Sequence, residues 1–171
     1  DGMKEQTHII AAIVEHKPGV LYSVSNMFRR RGFNIESVSV GPIEQRDMAR
    51  MTITVKGDEK LVEQVIKQLN KLIDVIKVSR LDPESIVTRE MALVKVHCDG
   101  AKSRSDIINY ANIFRARVVD VSTESLMVEI TGGPDKIDAF IDLMKPFGVK
   151  EVARTGITAL SRGTKSVRIE G

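Results

Sequence analysis

Two spacings of apolar residues alternate along the chain, one of two residues and one of three to four, and their order predicts the elements. Thr7–Val14 is a short apolar run between polar flanks, too brief for a helix core, and predicts a buried strand. Pro18-Gly19 interrupts it. Val20, Leu21, Val24, Met27, Phe28 and Arg31 then follow helical spacing, with Gly32 as the stop. Phe33–Val40 reads as a strand whose phase slips, since Phe33 and Ile35 share one parity and Val38 and Val40 the other. A one-residue bulge near Glu36-Ser37 would bring all four to one face. Met51, Ile53 and Val55 alternate with Thr52 and Thr54, the mark of a half-buried strand. Leu61, Val62, Val65, Ile66 and Leu69 make the next helical stripe, opened by Asp58-Glu59, and Val75–Val78 is a closing strand.

Arg80 to Ser85, with Pro83 inside it, reads as a linker, and after it the order repeats. Met91–Val96 is a strand, and Ser103 or Ser105 is expected to cap a helix with Ile107, Ile108, Ala111 and Phe114 on its apolar face. Val118–Val121 and Leu126–Ile130 are strands joined by a polar turn at Thr123-Glu124. Gly133-Pro134-Asp135 starts a helix carrying Ile137, Phe140, Ile141 and Met144, with proline at the tolerated first position. Val149–Ala153 is the last strand, and Arg80 and Arg154 sit at matching ends of the two series. The pattern predicts an α+β protein of two tandem ferredoxin-like βαββαβ units, at residues 7–80 and 89–163, with a linker at 81–88 and a tail at 164–171.

Composition narrows the function. A chain of 171 residues with 42% hydrophobic and 29% charged content has enough apolar mass for two small cores, and its net charge of +3 does not suggest disorder. The longest apolar run is Ile9–Val14, far short of the ~20 residues a membrane helix needs, so no membrane span is expected. The absence of a charged-then-apolar opening, together with a single cysteine, Cys98, leads to the expectation of a reducing, cytoplasmic setting. A pI near 9.0 invites a nucleic-acid reading. The charge is scattered, however: +3 over residues 1–80, −2 over 81–160 and +2 over the remainder. Its one dense cluster, Arg29-Arg30-Arg31, ends a predicted helix, where cations complement the dipole. Arg31-Gly32-Phe33 has the start of an RNA-binding strand motif, but Ile35 stands where a stacking aromatic is needed, and aromatics are 4% of the chain. No nucleic-acid partner is expected.

Catalytic spacing is absent as well. The histidines at 8, 16 and 97 share no helix face, and His97 and Cys98, adjacent on a strand, point to opposite sides. Thr131-Gly132-Gly133-Pro134 lacks the spacing of a nucleotide loop, and no CxxC or HExxH pair offers a metal site. No catalytic and no metal-binding residues are expected. The segment Glu15 to Leu21 is more informative. A helix start leaves N–H groups unpaired and attracts a carboxylate, Gly19 permits close approach to the backbone, and Val20 and Leu21 could wall a small apolar side chain. Asn34, after Gly32, offers a carbonyl to an ammonium group and an amide to a carboxylate. These groups suit an aliphatic α-amino acid; a plain Pro18-Gly19 turn, with Asn34 as a turn residue, is the alternative the residues leave open.

The stretch Pro18-Gly19-Val20-Leu21 through Arg31-Gly32-Phe33-Asn34-Ile35-Glu36-Ser37 resembles an ACT domain, the amino-acid-sensing version of this fold. With Ala49 to Ile53, Gln68 to Val75, Arg89 to Val96, Val152 to Ile157 and Leu160 to Gly163, the chain is similar to the small regulatory subunits of acetolactate synthase from about Thr7 to Gly163. The resemblance implies an N-terminal ACT domain and a C-terminal ACT-like domain, and a chain that activates a separate large catalytic subunit and makes it sensitive to valine or another branched-chain amino acid. Thiamine diphosphate, Mg2+ and FAD are then expected on the catalytic subunit and none on this chain. It further implies a homodimer through the ACT domains with the effector at the interface, contacted by Gly19 of one chain and Asn34 of the other. Pro18, Val20, Leu21 and Ile35 match neighbouring positions, while His16 stands where relatives often carry Asn. The second domain would help dimerise and tune the response. A free-standing amino-acid sensor acting on another protein and an RNA-binding module are the competing readings.

Overall fold

The computed structural model describes residues 6–168 and divides the chain into two compact units, one formed by the chain up to Val87 with the segment from Ile157 onward, the other Thr88–Gly156. In the first unit the order is β1 (Gln6–Glu15), α1 (Val20–Arg31), β2 (Ile35–Pro42), β3 (Met48–Gly57), α2 (Glu59–Asn70) and β4 (Val75–Arg80). The antiparallel sheet runs β2-β3-β1-β4, so the two strands that lead into the helices, β1 and β3, are its centre and β2 is an edge. Ile10, Ala12 and Val14 on β1 and Met51, Ile53 and Val55 on β3 face the helices and close on Val24, Phe28, Val62, Val65 and Leu69. The predicted bulge lies between Ile35 and Ser37. It brings Ile35 and Val38, the two parities of β2, against the same core.

The second unit repeats the plan: β5 (Ile86–His97), α3 (Gly100–Ile113), β6 (Arg117–Val121), β7 (Ser125–Gly132), α4 (Pro134–Met144) and β8 (Val149–Arg154). Its strand path β6-β7-β5-β8 corresponds to that of the first, and a register shift at Val118/Asp120 answers the one in β2. Ala92, Val94, Val96, Leu126, Val128 and Ile130 pack on Ile107, Ile137, Phe140 and Met144. The backbone bonds that close the β–α loops also repeat. His16 N–H reaches the Asp47 carbonyl at 2.8 Å, and Cys98 N–H reaches that of Glu124 at 2.9 Å.

Four expectations need correction. Thr52 and Thr54 are 1% and 2% exposed, so β3 is buried on both faces and not half-buried. The cause is the end of the chain: a short strand β9 (Thr158–Ser161) and the residues around it fold with the first unit, so 157–163 leave the unit in which the pattern placed them. Ile157 and Ala159 cluster with Ala11 and Leu81, with Ile9, Ile86 and Val167 beside them, on the sheet face opposite the helices. The tail therefore packs as far as it is described, to Arg168, whose carbonyl accepts a 3.0 Å bond from Lys77 Nζ; residues 169–171 lie outside the described range. The linker is also shorter than 81–88, because Leu81 is 3% exposed and β5 already begins at Ile86. Finally, α3 starts three residues before Ser103, whose hydroxyl oxygen instead accepts from the Asp99 N–H at 2.7 Å.

Candidate functional site

The loop from Glu15 to Gly19 is held by its polar flank. Glu15 N–H donates to the Asp74 carbonyl at 2.9 Å, and Lys17 Nζ lies 2.8 Å from both the Glu15 and the Asp74 carboxylates. Hydrogen bonds to Asp74 and then Glu15 hold the Lys17 ammonium well above its usual pKa. That cation is committed to the Glu15 and Asp74 carboxylates, which leaves the backbone as the means of attracting an anion. His16 and Pro18 are exposed.

Gly19 is the N-cap of α1 at φ 91°, a left-handed conformation that strains any L side chain, and no atom lies within 4 Å of where a Cβ would stand. The helix start carries no side-chain cap and no acidic residue in its first turn. Helix α2 differs, since the Asp58 carboxylate there accepts the Leu61 N–H at 2.8 Å. The first intrahelical bond of α1 runs from Ser23 N–H to the Gly19 carbonyl, and the N–H groups before it are the orphan donors of a helix start. Open backbone, positive dipole end and absent side-chain cap together make a place for a carboxylate. Val20 is 4% exposed and belongs to the core, so what it presents outward is its N–H and not an apolar wall. Leu21, 50% exposed, is the side chain free to line a pocket.

Asn34 and Ile35 lie elsewhere. Asn34 is exposed and Ile35 half-buried, just past Gly32 (φ 67°) at the opposite end of α1. Twelve helical residues separate the ends by about 18 Å. Within one chain the candidate residues thus form two half-sites: His16, Pro18, Gly19, Val20 and Leu21 at one end of the helix, Asn34 and Ile35 at the other. An α-amino acid is far too small to touch both. Strand β2 is an edge, and beside these residues Tyr22 (72% exposed) and Val40 (46% exposed) leave apolar surface open. A shallow hollow of about 280 Å³ on the outer side of α1 is lined by Tyr22, Ser25, Asn26 and Arg29.

Sequence reasoning missed two polar clusters at the far end of each sheet, though the matching positions of Arg80 and Arg154 were a signal. Arg80 grips the Glu59 carboxylate at 2.5 and 2.6 Å and donates to His8 Nδ1 at 3.0 Å. Because arginine has only donors, Nδ1 accepts, and His8 Nε2–H donates to the Gly57 carbonyl at 2.9 Å. In the second unit Arg154 binds Glu90 through Nε (2.7 Å) and a terminal nitrogen, and Asp138 at 2.6 Å. No helix among the described residues is long and apolar enough to cross a membrane.

Comparison with known proteins places this arrangement. A family profile described as "AHAS small subunit-like ACT domain" matches residues 10–77, and one described as "Small subunit of acetolactate synthase" matches 89–163. The probable acetolactate synthase small subunit of Methanothermobacter thermautotrophicus is 57% identical over 165 residues, covering 96% of this chain and 98% of its own. That of Archaeoglobus fulgidus is 59% identical over 158 residues, 92% of this chain and 98% of its own. The crystal structure of the acetolactate synthase small subunit from Thermotoga maritima superposes with a TM-score of 0.88 at 45% identity, over 94% of this chain and 99% of that one. The chain belongs to the family of acetolactate synthase small subunits, with an ACT domain as its first unit.

Proposed function

We propose that this chain is the regulatory partner of a large, thiamine-diphosphate-dependent catalytic subunit in the cytoplasm, which it activates and renders sensitive to valine or a related branched-chain amino acid. Catalysis, with its thiamine diphosphate, Mg2+ and FAD, belongs to that subunit, and this chain contributes no catalytic group. The observation that carries the reading is the start of α1. An uncapped helix N-terminus at a left-handed glycine is open to a carboxylate, with exposed Leu21 beside it. The complementary polar group, Asn34, is one helix length away, so a complete site requires a second copy of the chain. The exposed face of α1 and the free edge of β2 are the surfaces on which two copies would pair. Asn34 of the second copy receives the ammonium group, and Leu21 and Ile35 flank the aliphatic side chain.

Regulation then works as a shift between populations. The chain stabilises a competent conformation of its partner, and the amino acid binds another arrangement better; an effector with equal affinity for both shifts nothing. Feedback between ~1 μM and ~1 mM needs about 4–8 kcal/mol of binding free energy. Burying an isopropyl group adds about 1.5–3 kcal/mol to the charged contacts. The test is acetolactate formation by the purified catalytic subunit, with and without this chain and with and without valine. Gly19→Asp places a negative charge where the carboxylate binds and is expected to remove inhibition while keeping activation. A Gly19→Asp complex that valine still inhibits normally would overturn the site.

A further inference from the structure

The sheet of the second unit has two edge strands, β6 and β8, and they are guarded differently. An open edge is a template for a further strand, and charged side chains along it discourage pairing. Strand β8 carries Lys150, Glu151 and Arg154, the last held by Glu90 and Asp138. Strand β6 reads Arg117-Val118-Val119-Asp120-Val121, and its valines at 119 and 121 are exposed, the second at 63%. Helix α3, which packs beside β6, adds exposed Ile108 and Ile113 to the same flank, Ile113 at 73%. Arg117 and Asp120 are both exposed, and neither has an ion-pair partner among the described residues.

The register shift in β6 decides what these two charges can do. Residues 117 and 120 are three apart, so in a regular strand their side chains would point to opposite faces. Here Val119 is an extra residue, and Arg117 comes opposite Glu129 while Asp120 comes opposite Met127. Met127 and Glu129 alternate with Leu126, Val128 and Ile130 of the core. Both charges therefore lie on the sheet face away from the helices, one on each side of the bulge. A bulge can turn an edge away from partners, but this one makes the edge self-complementary. A second β6, turned by 180° about the bulge, sets its Asp120 against Arg117 and its Arg117 against Asp120.

We propose that the β6 edge is an interaction surface for a second copy of this chain, whose own β6 adds to it antiparallel. Two second-unit sheets then join across a twofold axis at Val118-Val119. The two Arg117–Asp120 pairs set the register, and the exposed valines and isoleucines of the flank supply apolar contact. This surface is distinct from the α1 and β2 surfaces of the effector site, and it does not depend on an amino acid binding there.

Amide exchange in the full-length chain, followed residue by residue by 15N NMR, reads the edge directly. The β6 amides that β7 leaves free should be protected in the wild type. Asp120→Arg brings like charges together at both pairs and should speed their exchange by about tenfold or more. Position 120 stands opposite Met127, so this change creates no repulsion with the neighbouring strand of its own chain. Arg117→Glu should act in the same direction. Refolded together in equal amounts, the two variants form mixed pairs in which opposite charges meet at both places, and protection should return. The mixture restores neither residue, so it decides the matter even where a single variant loosens β6 from β7. Free exchange of the edge amides in the wild type, full protection in Asp120→Arg, or a mixture as unprotected as its two parts would each overturn the proposal.

Discussion

The two units share a frame but treat the outer face of the sheet differently. In the first, Ala11, Thr52 and Thr54 are buried because Leu81, Ile157 and Ala159 lie over them. In the second, the corresponding face shows Leu93, Lys95, Met127, Glu151 and Ala153 around an open hollow of about 220 Å³. Residue type alone does not reveal which face is covered. Threonine is at home on either side of a sheet, and Lys95 and Glu151 state openly what Thr52 and Thr54 leave ambiguous. A covering segment distant in sequence decides the matter, and it turns a one-sided sheet into the middle layer of a three-layer unit.

The largest break in this comparison comes from ending the chain before Ile157. Losing Ile157, Ala159 and Val167 should cost the first unit about 3–6 kcal/mol. Hydrogen exchange would then show the amides of β1 and β3 losing protection while those of β6 and β7 keep theirs. Equal losses in both sheets would mean that the segment serves the two units alike.

The next contrast lies in the arginine clusters. Glu90 is 6% exposed and bound twice by Arg154, where the first unit uses His8, 5% exposed, beside Arg80. Glu90→Gln should cost about 2–3 kcal/mol, since it weakens a buried charged pair and leaves an arginine poorly matched. His8→Gln should cost less, about 1 kcal/mol, since an uncharged amide can still keep one of the two bonds His8 makes to Gly57 and Arg80. Urea denaturation of both variants checks the ranking, and an inverted order would mean that Asp138 alone suffices for Arg154.

A smaller effect compares two glycines with nearly the same backbone, Gly19 at φ 91° and Gly100 at φ 88°. No neighbour lies within 4 Å of a Cβ at either, so alanine at each should cost only its strain, about 1 kcal/mol. Valine binding measured by calorimetry should fall in Gly19→Ala alone. The smallest effect is electrostatic. The Arg80 guanidinium holds the Glu59 carboxyl below its usual range. A carboxylate with a depressed folded-state pKa stabilises the protein above its unfolded value, and that contribution fades as pH falls through the folded value. The stability difference between wild type and Glu59→Gln should therefore be greatest at neutral pH and close on acidification; a gap that widened in acid would contradict the assigned pair.

Much of this molecule was legible from spacing. The helical stripes of α1 and α2, the glycine after Arg31 and the bulge before Ser37 are local signals, and the fold follows them. The start of α1 was legible as well, because Pro18-Gly19 and the lack of a capping side chain are visible in the residues themselves. The burial of Thr52 and Thr54, the destination of 157–168 and the bond from Arg50 to the Ala159 carbonyl were not, since each depends on contacts across more than 70 positions. Val20 shows a subtler limit: a residue at a helix start can look into a pocket or into the core, and only the helix's rotation decides, which here turns it inward.

The span of α1 has a genetic consequence. If each effector site takes Gly19 from one chain and Asn34 from the other, a Gly19→Asp chain and an Asn34→Ala chain are each inert as homodimers. Their mixed dimer places both lesions in one site and leaves the other intact. Equal mixing yields about half mixed dimers, each with one working site, so about a quarter of the normal valine capacity should return. Two defective alleles would complement one another, and the recovered capacity would count the chains that share a site.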